Sequence, residues 1–126
     1  MIFIILVDSR SASAAEVFAR VVQLENRGVV IGDRTAGAVM QARGFHYTTG
    51  EGTVLFYGVN ITTADVIMAD GKSLERVGVT PDELLLPTTV DLAAKRDSVL
   101  ARAAAMAGFE LPPDKAGAMF LVEWRK

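Results

Sequence analysis

The run IFIILV, from Ile2 to Val7, constrains this chain more than any other stretch. A strand with one wet face alternates apolar and polar residues, and this run does not alternate. Ile2, Ile4 and Leu6 project to one side and Phe3, Ile5 and Val7 to the other, with no charge on either. Such a run reads as a central parallel strand, buried on both faces. It is far short of the roughly 20 apolar residues of a membrane span. It resembles a signal peptide only weakly, because no basic region precedes it and no cleavage site follows before Asp8 and Ser9.

The next segment, SASAAEVFARVVQLENRG, reads as a helix. Ala14, Phe18, Val21 and Val22 recur at helical spacing, while Glu16, Arg20, Gln23 and Arg27 point elsewhere. Gly28 is a stop signal, and Val29 to Gly32 form a second short strand. Strand, helix and strand with short connections make a right-handed βαβ unit with parallel strands. Beyond the loop DRTAGA the periodicity shifts toward two. Gly50–Gly52, Gly58–Asn60 and Asp70–Gly71 read as turns of successive hairpins. Residues GVTPDELLLP form a turn and a short strand ending at Pro87. Thr88 and Asp91 then have capping-box spacing before a helix, broken near Asp97, that runs to Gly108. Pro112–Pro113 are a further break, and AMFLVEW is a candidate last strand. The expected fold is α/β, with residues 1–108 as the main body and 109–126 as an extension.

Composition narrows the function. A chain of 126 residues with 51% apolar content fits one compact domain. A net charge of −2 with no basic block argues against a nucleic-acid partner. With no cysteine there is neither a disulfide framework nor a thiol nucleophile, and the single histidine, His46, rules out a multi-His metal site within the chain. No metal or cofactor is expected.

Ser9, Ser11 and Ser13 crowd the junction of the first strand and the first helix. Ser13-Ala-Ala-Glu16 fits a capping box. It also fits a nucleophile, because a helix N-terminus offers free N–H groups and a positive dipole end to a developing oxyanion. Local chemistry leaves both readings open. His46, in the β-like GFHYTT, reads as a strand histidine facing solvent or a satisfied partner rather than as the base for such a serine. Lys72 reads as a solvated turn lysine, and Gly78, Pro81 and Asp82 read as residues that fix a turn and start a strand.

The order of motifs adds to this. LVDSRSASAAEVFA, then GVVIGDRTAGA, then hairpins, then GVTPD resembles the C-terminal processing (tail-specific) serine peptidases, the tricorn protease core and the retinoid-binding repeats of photoreceptors. The resemblance spans about residues 4 to 108. It implies a ClpP/crotonase-like core and Ser13 as the nucleophile of an acyl-enzyme mechanism. It further implies the Ala14 N–H as an oxyanion donor, and substrate contacts from Arg34, Thr35 and Gly37. The second oxyanion donor of the family comes from a glycine upstream of anything in this chain. Tail-specific members place a lysine as general base after Thr-x-Gly; here Ala38 follows Thr35-Ala36-Gly37. The tricorn-like branch instead uses an upstream histidine, and a glutamate just before Gly-Val-x-Pro-Asp, matched by Glu75, supports the site.

The resemblance therefore implies the C-terminal half of a serine-peptidase catalytic domain whose base lies outside this chain. Peptide would add as a strand at an exposed edge. The expected partners are a peptide or protein substrate, with no membrane, and a second copy of the chain or an N-terminal half. The family is often extracytoplasmic. A non-catalytic ligand- or protein-binding module on the same scaffold is the alternative.

Overall fold

The computed structural model describes residues 3–119. Strand β1 (Phe3–Val7) leads into helix α1 (Ala14–Leu24), which returns the chain to β2 (Gly28–Gly32). The two strands are parallel, with Ile5 opposite Val30 and Val7 opposite Gly32. A long hairpin follows, β3 (Gln41–Thr49) and β4 (Leu55–Ala64), as a separate two-stranded sheet. The chain then adds β5 (Glu83–Leu84), parallel to β2, and three short helices: α2 (Thr89–Ala93), α3 (Ser98–Met106) and α4 (Pro113–Met119). The core lies under the three-stranded sheet, where Val7, Ala19, Val30, Val39, Met68, Leu74 and Val79 pack together.

The βαβ unit forms as its pattern dictates, but β1 is not central. Among the described residues the sheet order is β1-β2-β5, so β1 is an edge. Phe3 is 41% exposed and Leu6 42%. An apolar run identifies a strand that needs cover, without identifying what supplies that cover. The faces of α1 also differ from the expectation. Its buried residues are Glu16, Ala19 and Val22, while Phe18 and Val21 are about half exposed beside the open edge. Phe3 and Phe18 meet edge to face there.

The hairpin is one long ribbon. Gly50–Gly52 lie at its turn, but Gly58–Asn60 sit inside β4, where Gly58 pairs with His46 and Asn60 with Gly44. Glycine and asparagine are turn residues only where the ladder stops, and here cross-strand pairing carries through them. Asp70–Gly71 do turn, closing on an isolated bridge between Ile67 and Ser73.

The C-terminal helical region is divided as its caps require. The Asp91 amide donates to the Thr88 hydroxyl at 3.1 Å, and the Leu100 amide donates to the Asp97 carboxylate at 2.8 Å. Pro113 opens α4 at a first-turn position, where a missing N–H is tolerated. Ala118 and Met119 belong to α4 rather than to a strand, and the rest of AMFLVEW lies outside the described residues.

GVTPD is held compact by a single carboxylate. Asp82 Oδ2 accepts the Val30 amide at 2.8 Å, its Oδ1 accepts Gln23 Nε2 at 3.0 Å, and its own amide donates to the Val30 carbonyl at 2.8 Å. The sheet centre, α1 and the start of β5 are thereby tied at one residue. Asp82→Ala strands the Val30 N–H, and Val30 is fully buried. The expected loss is about 1–3 kcal/mol of unfolding free energy, read by thermal or urea melts.

Candidate active site

The turn between β1 and α1 is built in two stages. First, Asp8 folds the chain back on itself. The Ser11 hydroxyl donates to Asp8 Oδ1 at 3.0 Å and accepts the Asp8 amide at 3.1 Å, and the Arg10 amide also reaches Asp8 Oδ1. Second, Ser13 enters the helix at φ 57°, ψ −123°. That is the first-corner geometry of a mirror-image type II turn, a place normally left to glycine. A side chain there holds the backbone in strain of order 1–3 kcal/mol. A serine on a strained strand-to-helix turn is the arrangement of a nucleophile elbow.

Ser13 and Glu16 have the residues of a capping box, yet the geometry uses them differently. The Glu16 amide donates to the Ser13 backbone carbonyl at 2.9 Å, not to the hydroxyl. The Ser13 amide donates to Glu16 Oε2 at 3.0 Å and to the Ala38 carbonyl at 2.9 Å. Neither Ser13 nor Ser11 caps the helix through its side chain. The Ser13 hydroxyl is exposed and makes no hydrogen bond among the described residues. Ala14 is the first residue of α1, so its N–H stands outside the helical ladder beside that hydroxyl, at the positive end of the helix dipole.

Glu16 is fully buried. Its Oε1 accepts the Thr35 hydroxyl at 2.5 Å and the Gly37 amide at 2.7 Å. Its Oε2 accepts the Ala38 amide at 2.9 Å as well as the Ser13 amide. Burial pushes its pKa up, but the Thr35 hydroxyl and the amides of Ala38, Gly37 and Ser13 outweigh that and hold it below the usual glutamate value.

The same frame captures the DRTAGA loop and the LERVGVTPD loop. Thr35 Oγ1 accepts the Val79 amide at 2.6 Å, and the Thr35 amide donates to the Val79 carbonyl at 3.2 Å. Gly37, at φ +70°, takes the Arg76 amide on its carbonyl at 2.7 Å. Gly78, at φ +72°, lies so close that a Cβ would come within 2.6 Å of the Thr35 carbonyl oxygen. Glu75 reaches the frame from the other side, its Oε2 accepting the Val39 amide at 2.8 Å.

The structure thus joins Ser13, Thr35 and Gly37 through hydrogen bonds to Glu16, while Ala14 follows Ser13 in the chain and Glu75 holds Val39, the residue after Ala38. Within it, the Thr35 hydroxyl and the polar groups of Gly37 are already committed to the frame. Arg34 is exposed, and its Nε donates to the Val77 carbonyl at 2.6 Å, which leaves the guanidinium at the surface. His46 is not brought in. It lies five residues along β3 from Gln41, about 17 Å at strand spacing, in a hairpin that packs chiefly on itself. Lys72 is exposed on its turn, its amide 3.3 Å from Asp70 Oδ1. Among the described residues no group of histidine, cysteine, aspartate and glutamate side chains gathers as a metal site. Sequence reasoning placed Glu16 off the apolar face and missed its burial. The Ser-x-x-Glu spacing was the available signal, and it pointed to a local cap.

Comparison with known proteins follows the same lines. Residues 2–85 match Peptidase family S41. The chain is 31% identical over 121 residues to a tricorn protease homolog of Streptomyces coelicolor, covering 86% of this chain and 10% of that protein. The crystal structure of the tricorn protease superposes with a TM-score of 0.66 at 21% identity, over 84% of this chain and 10% of that one. The photosystem II D1 C-terminal processing protease superposes with a TM-score of 0.50 at 29% identity, over 68% of this chain and 21% of that one. The chain therefore spans about a tenth of the curated relative it matches.

Strain at Ser13 has a direct readout. Ser13→Gly and Ser13→Ala both remove the hydroxyl, but only glycine relieves a positive φ. The glycine variant should be the more stable of the two by about 1–2 kcal/mol in denaturant titrations. Equal stabilities would mean that the elbow is unstrained.

Proposed function

The chain belongs to Peptidase family S41, and on that premise we propose that it carries the nucleophile of a serine-type peptidase. The observation that supports this most is the strained, exposed Ser13 with its hydroxyl kept out of the cap. In this reading Ser13 Oγ attacks the scissile carbonyl carbon and the Ala14 N–H receives the developing oxyanion. A base takes the hydroxyl proton and passes it to the leaving amine, and water then hydrolyses the acyl-serine. Glu75 supports the site through the Val39 amide, and Arg34 places an exposed cation next to Thr35. Thr35 and Gly37 serve substrate indirectly, by holding the loop that borders it.

The base is the missing part. Ala38 stands where tail-specific members carry lysine, and a methyl group accepts no proton. The same gap is the one observation that favours a non-catalytic binding module. A fluorophosphonate probe separates the two. The chain of residues 1–126 should label negligibly. Ala38→Lys should raise labelling of Ser13 by at least about tenfold, since a positioned base contributes roughly 10²–10⁴. That gain should vanish in Ser13→Ala. Strong labelling without the lysine would overturn the missing-base reading, and no labelling with it would favour the binding module.

Association is the second part of the proposal. The β1 edge carries exposed Phe3 and Leu6, with Phe18 and Val21 of α1 exposed beside it. Unpaired strand edges with apolar neighbours recruit further strands, and we assign this one to a second copy of the chain. Light scattering at micromolar concentration should give a mass above that of one chain, and Leu6→Lys should lower it. A monomer unaffected by Leu6→Lys would overturn the assignment.

A further inference from the structure

We propose that Glu16 is a positioning residue that works as an acid-sensitive latch, its ionised carboxylate holding the Ser13 elbow and the 35–38 loop in one arrangement. The proposal rests on Ser13 being the nucleophile for its functional meaning, though not for its test. All four partners of Glu16 are donors: the Ser13, Gly37 and Ala38 amides and the Thr35 hydroxyl. An anionic carboxylate can accept from all four. A protonated one brings an O–H into a shell that already consists of donors, so at least one contact must break. Glu16 exposes no surface through which solvent could take over the broken contact.

The consequence falls on Ser13 because its backbone is strained. A residue at φ 57°, ψ −123° stays there only while its surroundings over-determine it. Its amide donates the two bonds that do so, one to Glu16 and one to the Ala38 carbonyl, and Ala38 is itself fixed by Glu16. Losing the carboxylate charge weakens both together. The Ser13 hydroxyl and the Ala14 N–H would then lose their common orientation, while α1 keeps its packing through Ala19 and Val22.

The charged groups on the surrounding segments leave this titration to Glu16. Asp8 and Arg10 lie in the β1–α1 turn, Arg20 is further along α1, Asp33 and Arg34 precede Thr35, and Glu75 and Arg76 face Gly37 and Val39. None of them bonds to Glu16 among the described residues. Arg20 is occupied by Asp70 at 2.7 Å, and Arg34 by the Val77 carbonyl. The sign follows from the depressed folded value. The unfolded chain binds the proton first, so the latch is fully in force above the ordinary glutamate range. It is lost as pH falls through the lower folded value.

Amide NMR of the full chain tests this without any need for catalysis. The Ser13, Gly37 and Ala38 resonances should titrate together, with a shared midpoint below the ordinary glutamate value of about 4.3. Thr35→Val removes one donor and should raise that midpoint by about one pH unit, while Thr35→Ser should restore it. Glu75→Gln should leave the shared Ser13 transition in place. A residue that only fills space would not couple a threonine hydroxyl to the titration of a serine amide. Separate midpoints, or a Ser13 transition indifferent to Thr35→Val, would overturn the latch. If the latch holds while Ser13 fails to label in the Ala38→Lys chain, the peptidase reading falls and the latch stands.

Discussion

A single buried carboxylate organises this structure. Taking an ionised group out of water is expensive, and proteins do it where the charge is answered by well-placed partners. Here the answer is given by dipoles, four donors from two places in the chain, with no cation bonded to it among the described residues. The arrangement fixes more than its own atoms. Thr35 passes the constraint to Val79, Gly37 passes it to Arg76, and Ala38 passes it back to Ser13. Two loops and a helix start, far apart in sequence, are thereby set in one geometry, and the tight approach of Gly78 to Thr35 seals it.

Asp82 plays a parallel part at the far end of the same loop, where it joins Val30, Gln23 and the first residues of β5. The motifs that read as signatures in the sequence are therefore the two ends of one mechanical frame. Ser-x-x-Glu supplies one carboxylate and Gly-Val-x-Pro-Asp the other, and the parallel strands run between them. Apolar packing by Val30, Ile31 and Val79 gives this frame its dry interior, in which each of those hydrogen bonds gains strength.

What could be read from the sequence was whatever is decided locally. The β1–α1–β2 order follows from an unbroken apolar run and a helical repeat, but the expected stop at Gly28 is not where α1 ends: the helix closes at Leu24, Asn26 takes the left-handed turn, and Gly28 already belongs to β2. The cap at Thr88 follows from a side chain reaching three residues along, whereas Asp97, which caps α3, read in the sequence only as a break. The α/β class followed from the same signals, and the peptidase resemblance from the order of three motifs. What the sequence withheld depends on contacts between distant segments. Gly58 and Asn60 looked like a turn because nothing nearby reveals that His46 and Gly44 pair with them. Glu16 read as off the buried face because three of its four partners lie about twenty residues away. The edge position of β1 is of the same kind, since a strand's own residues do not name its neighbours.

The span of that frame along the chain also bears on when the site comes into being. Glu16 is complete only after the segment around Thr35 has docked, and Thr35 is held in turn by Val79. A chain still emerging from the ribosome can form α1 early, because helices need only local contacts. It cannot hold the strained elbow until a much later stretch has been made and packed. The Ser13 hydroxyl and the Ala14 N–H are thus set in place last, by long-range closure, and an unfinished or misfolded chain presents an ordinary serine.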